Sequence, residues 1–152
     1  VLDASGERST LFRLEGEAVM DGDIQVAASG KDATGVYVTD AGTEATIGGG
    51  SVLDISGDGA TGVFSTGGAK ATIESGASVT ITGSGATAGT VDGNTYDLDG
   101  TVAEEDTGAT LINAASISSS VADATAFTAK NSGTLENSGD VLLTGANSTA
   151  IK

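Results

Sequence analysis

The 152-residue chain contains no cysteine, proline, tryptophan or histidine, and aromatic side chains make up 3 % of it. Without cysteine it has no disulfides, no thiolate metal sites and no cysteine nucleophile. Basic residues are scarce as well: six Lys and Arg stand against 21 Asp and Glu, for a net charge of −15. That balance argues against nucleic acid and against an anionic membrane as partners, since both need a basic surface. There is no charged-then-apolar leader at Val1 and no apolar run long enough to span a bilayer, so no direct membrane insertion of this segment is expected. Val1 is not an initiator methionine and Lys152 directly follows an apolar position, so the chain reads as a segment of something longer. The scarcity of aromatics has a structural consequence. A core must be built largely from small side chains, and some arrangement has to bury many of them efficiently.

What is present is glycine, 24 residues of it, together with 38 % hydrophobic residues dominated by short Val, Ile, Leu and Thr patterns. Such a mixture can be disordered, and the question is whether it repeats. It does. Windows start at Val19, Thr46, Thr72, Thr110 and Thr134, so successive starts lie 27, 26, 38 and 24 residues apart. Fifteen residues on, each window closes with a threonine: Thr34, Thr61, Thr87, Thr125 and Thr149. Aligned without gaps, the windows give apolar columns at Met20, Ile47, Ile73, Leu111 and Leu135, and at Val26, Leu53, Val79, Ile117 and Val141. A third column runs Ala28, Ile55, Ile81, Ser119 and Leu143, and a small residue precedes each closing threonine. Coincidence in a Thr/Ala/Gly-rich chain could supply one such column but not the set.

Within a unit the period is two. Val79 and Ile81 alternate with Thr80 and Thr82, and Leu53 and Ile55 alternate with Asp54 and Ser56, which is strand alternation with one buried face. Three short strands fit in each unit, near 71–74, 78–82 and 86–89 in the third. Gly57, Gly83 and Gly145 are expected to supply left-handed backbone angles at the corners. A unit of about 25 residues cannot bury its own face, but stacked units pair each strand with its equivalent one coil along. The expected fold is therefore all-β: a right-handed parallel β-helix of about five coils, residues 1–152 forming one segment. A β-sandwich also has many short strands, but it does not require this recurring register.

The long step marks an insertion at 90–109, in which "TVDGNTYDLDGTVAEEDTG" lies between Gly89 and Ala109. Insertions in solenoids often form the functional surface. The candidate interaction loop comprises Asp92, Asn94, Tyr96, Asp97, Asp99, Glu104, Glu105 and Asp106. Asp97 and Asp99 followed by Gly100 have a faint likeness to a calcium loop, but no complete hard-cation motif is present, and a solvated acidic loop is the plainer reading. Asn113 and Asn137 share a column and suggest an amide ladder along the stack. The sequon at Asn147 falls on a repeat position and reads as incidental. Asp54, Glu74 and Glu136 form no paired-carboxylate constellation, so no catalytic residues and no cofactor are expected, and the chain is read as not an enzyme. A threonine array for ice binding fails on irregularity, because the row of Thr80 and Thr82 becomes Asp54 and Ser56 in a neighbouring unit.

Units such as "ATGVYVTDAGTEATIGGGSVLDISGDG" and "TLENSGDVLLTGANSTAIK" resemble the passenger region of Gram-negative autotransporters (type V secretion), over about Leu11 to Lys152. The resemblance implies a fragment of a longer passenger, exported through an outer-membrane barrel not in this segment and displayed on the bacterial cell surface. It implies adhesion, self-association or biofilm formation, with host surface glycans, matrix proteins or like passengers as partners. Related adhesins carry sugars on repeat serines, which would make Ser56, Ser78 and Ser118 outward glycosylation candidates. Two alternatives stand beside it: a fragment of a carbohydrate-active β-helix lyase or hydrolase, and a passive scaffold for an effector domain.

Overall fold

A computed structural model describes all residues, 1–152. The chain winds through about six turns, each contributing up to three short strands. The first turn comprises β1 (Leu2–Asp3), β2 (Thr10–Leu14) and β3 (Val19–Gly22); the second β4 (Gln25–Ala28), β5 (Thr34–Val38) and β6 (Glu44–Ile47). The third has β7 (Val52–Ile55), β8 (Thr61–Thr66) and β9 (Lys70–Ile73), and the fourth opens with β10 (Ser78–Ile81) and β11 (Thr87–Asp92). A small hairpin, β12 (Thr95–Tyr96) and β13 (Val102–Glu104), interrupts that turn before β14 (Ala109–Asn113) completes it. The fifth has β15 (Ser116–Ser119), β16 (Thr125–Lys130) and β17 (Gly133–Asn137), and the sixth β18 (Val141–Leu143) and β19 (Thr149–Ile151).

Every strand outside the hairpin pairs in parallel with its equivalent in adjacent turns. Three sheets result: β1-β4-β7-β10-β15-β18, β2-β5-β8-β11-β16-β19 and β3-β6-β9-β14-β17. This is a parallel β-solenoid, as the repeat requires. One turn more is present than the five windows suggested, because β1 and β2 precede Val19. Thr10 and Phe12 pair with Thr34 and Val36 and extend the closing-threonine ladder by one rung.

The interior explains the missing aromatics. Half of the 28 buried apolar residues that form the core are alanine, interleaved with ladders such as Leu53–Val79–Ile117 and Ile55–Ile81. At about 4.8 Å per rung, like residues pack on like with no need for large rings. Phe127 is the one fully buried aromatic, and it has room because its partner one turn back is Gly89, where a Cβ would press on Leu111 and on the Phe127 ring. Two serines in inward columns find acceptors locally. Ser65 shares its one hydroxyl proton between the carbonyls of Ala69 (3.2 Å) and Thr110 (3.0 Å), and Ser119, in the ladder of Ile55 and Ile81, donates to the Ile81 carbonyl at 2.9 Å.

Two expectations need correction. Gly57, Gly83 and Gly145 do not have left-handed angles; those belong two residues further on, to Arg8, Asp32, Gly59, Gly85, Asp123 and Asn147, one in each turn. The corner glycines are needed for a different reason. A Cβ on Gly57 would meet the carbonyl oxygen of Gly30 inside any real contact distance, and one on Gly83 that of Gly57, so successive backbones pass too closely for a side chain.

The second correction concerns register. The second and third strands of each unit stack as the gapless alignment has them, but the first, which builds the third sheet, does not throughout. Val19 pairs with Glu44 and not Thr46, and Ile112, not Thr110, pairs with Thr72. Met20 therefore lies beside Ala45, Leu111 beside Ala71, and Asn113 beside Ile73. The cause is corner length: four residues lead into β7 and β10 (48–51 and 74–77), but two lead into β4 and β15 (23–24 and 114–115). A shift of two preserves in-out alternation, so the apolar columns still matched.

The Asn113–Asn137 ladder is present: Asn113 Nδ2 donates to Asn137 Oδ1 at 2.8 Å and to the Ala115 carbonyl at 2.9 Å.

Candidate functional site

The core fills the solenoid, so what this chain offers to other molecules lies on its outer faces and on the insertion. Strand β11 continues to Asp92, and the wall resumes at Ala109, which places the insertion at residues 93–108 and not 90–109. In the neighbouring turns the same gap is bridged by residues 67–69 or 131–132.

Asp92 is the anchor of the insertion. It is fully buried, and its carboxylate accepts four donors: Tyr96 Oη at 2.6 Å, Asn131 Nδ2 at 2.9 Å, the Asn94 amide at 3.1 Å and Lys130 Nζ at 3.0 Å. Burial pushes its pKa up, but the hydrogen bonds from Tyr96, Asn131, the Asn94 amide and Lys130 outweigh it and hold the carboxyl below its ordinary value. The same contact acts in reverse on Tyr96, whose phenol is pushed up to about 12 by burial, by its hydrogen bond to Asp92 and by the Asp92 charge.

Further bonds tie the loop to both neighbouring turns. Thr66 Oγ1 and the Gly67 amide donate to the Asn94 carbonyl, and Ser132 Oγ donates to Asp106 Oδ1 at 3.0 Å. The Asp106 amide donates to Asn94 Oδ1 at 3.1 Å, closing the base of the loop. Beyond it, β12 and β13 pair antiparallel, and a turn at Asp97–Gly100 reverses the chain, with the Gly100 amide donating to the Asp97 carbonyl at 2.9 Å.

Beside the hairpin lies the outward face of the second sheet. One outward column there reads Arg13, Tyr37, Phe64, Thr90 and Thr128. Tyr37 and Phe64 stack with ring centroids 5.3 Å apart and planes 9° from parallel, while the Arg13 guanidinium carbon sits 4.6 Å from the Tyr37 centroid. Burial raises the Tyr37 pKa, against the opposing pull of Arg13. The insertion extends over this column, and together they enclose an open cleft of about 360 Å³. Thr10, Thr34, Arg13, Tyr37, Phe64 and Lys130 come from the solenoid wall, and Tyr96, Asp97, Leu98 and Gly100 from the insertion. A smaller groove of about 230 Å³ lies on the first sheet, where Thr80, Thr82, Ser118, Ser120, Leu142 and Thr144 meet.

The eight residues of the candidate loop thus divide. Asp97, Asp99, Glu104, Glu105 and Asp106 are exposed, but Asp92 and Asn94 are buried and Tyr96 is half-buried. Asp92 and Asn94 hold the loop and offer no contact surface, because a carboxylate with four internal donors has no lone pair to present. Asp97 and Asp99 do not converge on a cation position: Asp99 Oδ1 accepts the Thr101 hydroxyl at 2.7 Å and amide at 2.9 Å, which hold its pKa below the ordinary value, and no three His, Cys, Asp or Glu side chains cluster anywhere. Ser56, Ser78 and Ser118 are exposed on the outer face of the first sheet, and Asp54, Glu74 and Glu136 are likewise separate and exposed.

The residues missed from sequence are Arg13, Tyr37, Phe64, Leu98 and Lys130. A signal for three of them was available, since Arg13, Tyr37 and Phe64 each stand three positions after a ladder threonine (Thr10, Thr34 and Thr61). Comparison with family models, with curated proteins and with solved structures gives no match, so any functional reading rests on the chain's own surfaces.

Proposed function

We propose that this chain is a segment of a surface adhesin, a β-solenoid passenger of the autotransporter kind, that works by contact at the bacterial cell surface and not by catalysis. The observation that carries the reading is the aromatic cleft. Of the five Tyr and Phe residues in the chain, Tyr37, Phe64 and Tyr96 line one open site under the insertion, on a surface otherwise made of small polar and acidic side chains. Half-buried aromatics grouped at an open cleft in this way mark a contact site. Asp97 is the one carboxylate lining the cleft, and nearby Asp92 is held ionised among four donors, so the site lacks the pair of carboxylates with separated pKa values that glycoside chemistry uses. The solenoid supports the reading as well, because it presents flat polar faces along its length for contact with glycans, matrix proteins or like passengers.

The test is display. Bacteria carrying this chain on an outer-membrane β-barrel should adhere to epithelial cell layers, or settle together, more than bacteria carrying the barrel alone. Equal adhesion and equal settling would overturn the adhesin reading.

A further inference from the structure

We infer that the cleft between the Arg13–Tyr37–Phe64 stack and the insertion is a binding site for a neutral pyranose unit of a glycan; this rests on the contact-surface reading above and gives it a ligand class. Arg13 covers one face of Tyr37 and Phe64 covers the other, but in the next turn the place of an aromatic is taken by Thr90, too small to continue the column. At that point the insertion brings Tyr96 and Leu98 to the cleft wall. A ligand with a flat apolar face can extend the stack there, as the C–H face of a pyranose does against an aromatic ring.

Charge selects among flat ligands. Both cations of the cleft are already paired, Arg13 with Glu15 at 3.0 Å and Lys130 with Asp92 at 3.0 Å, and Asp97 adds a further negative charge. An anionic ligand meets no free cation, on a chain of net charge −15. A cationic ligand would have to approach Arg13 and Lys130, and Arg13 already occupies the open end of the aromatic stack. What remains favourable is a neutral ligand that combines an apolar face with hydroxyl groups. The rim offers it matching polar atoms: the hydroxyls of Thr10 and Thr34, the carboxylate of Asp97, which accepts, and the Arg13 and Lys130 N–H groups, which donate. At about 360 Å³ the cleft lies at the small end of ligand sites, suited to one or two sugar rings.

The protein carries its own reporter. It has no tryptophan, and both of its tyrosines, Tyr37 and Tyr96, line the cleft. Titration with lactose, cellobiose, maltose and N,N′-diacetylchitobiose, followed by tyrosine fluorescence and by saturation-transfer NMR, should give saturable binding to at least one, with Kd on the order of 1–10 mM. Phe64→Ala, which leaves the core untouched, should weaken it about tenfold while far-UV circular dichroism stays unchanged. Absence of a saturable response to all four sugars overturns the inference, as does equal binding by Phe64→Ala, or a response only to galacturonate, tetramethylammonium or a tyrosine-containing peptide. The two readings fail separately. Sugar binding without adhesion of displaying cells sinks the adhesin reading alone, and adhesion without a saturable response to any of the four sugars sinks this one alone.

Discussion

At the residue scale, two kinds of glycine look alike in sequence and differ in what they do. Gly57 stands where adjacent turns nearly touch, and a Cβ there collides with the Gly30 carbonyl oxygen. Gly85 has φ +66° with open space around it, in a column that elsewhere holds Asp32, Asp123 and Asn147. Gly57→Ala should therefore cost about 3 kcal/mol or more, through displaced backbone, and Gly85→Asn should cost less than about 1 kcal/mol, because asparagine tolerates the left-handed region. Urea unfolding of the two variants checks this, and equal losses would refute the distinction. Sequence inspection merged these roles because composition records only that a corner holds glycine, not which turn passes beneath it. Asp92 is the other decisive residue. Its folded pKa lies below its ordinary value, so the stability it contributes is present above about pH 4, the unfolded carboxyl pKa, and is lost as pH falls through the lower folded value. Tyr96 has the opposite sign: its contribution is intact below the ordinary pKa near 10 and is lost as pH rises toward about 12. Asp92→Ala leaves the Tyr96 and Asn131 donors and Lys130 without their acceptor, and should cost about 3 kcal/mol by thermal unfolding. In the same variant the phenolate absorbance of Tyr96 should titrate at a lower pH than in the parent protein. An unchanged Tyr96 titration would mean that the carboxylate does not set it.

At the scale of elements, the strands were legible in the sequence and the insertion was legible only in outline. Period-two alternation identified inward and outward residues in β7 and β10 correctly, because a buried face imposes it directly. Register in the third sheet escaped because the corner before β4 and β15 is two residues shorter, a change that leaves apolar residues facing inward. The insertion betrayed itself through its length and acidity, but not its attachment: Asp92 reads as one more acidic residue until Asn131 and Lys130, from the next turn, are placed beside it. The cleft was hidden for the same reason, since its aromatics come from two separate turns and the hairpin. If the hairpin is an appendage held from its base, then replacing residues 93–108 with the two-residue corner Asn-Ser, as at 131–132, should leave the solenoid folded. The shortened protein should keep the strand signal in circular dichroism and a single cooperative transition, with Tm lowered by a few degrees, about 2–4 °C per kcal/mol lost. It should also lose tyrosine-detected sugar binding. Collapse of the cooperative transition would show instead that the insertion is part of what holds β11 and β14 in place.

At the scale of the whole molecule, the solenoid buries its core completely in the middle turns, while in residues 1–152 taken alone the outermost strands are paired on one side only. Leu2 and Val19 are exposed in the first turn and Ile151 in the last, beside open edges of parallel sheet. Open edges invite pairing with another copy. Opposing this is the charge of −15, spread over a small particle in which every turn carries acidic side chains. The balance depends on salt, because charges on neighbouring molecules interact over about 30 Å at 0.01 M ionic strength and only about 3 Å at 1 M. The isolated chain should therefore be monomeric in dilute buffer and associate as salt is raised, which light scattering detects directly. The route of association can be separated from its electrostatics. Lysine at Leu2 and Val19 places charge on one open end and should block end-to-end stacking, but it leaves the outer faces of all three sheets as they were. If salt-induced association persists in that double variant, the molecules meet side by side through their polar ladders. If it disappears, the parent chain associates through its ends. Scattering that is the same at 0.01 M and 1 M salt would mean that net charge is not what keeps the copies apart.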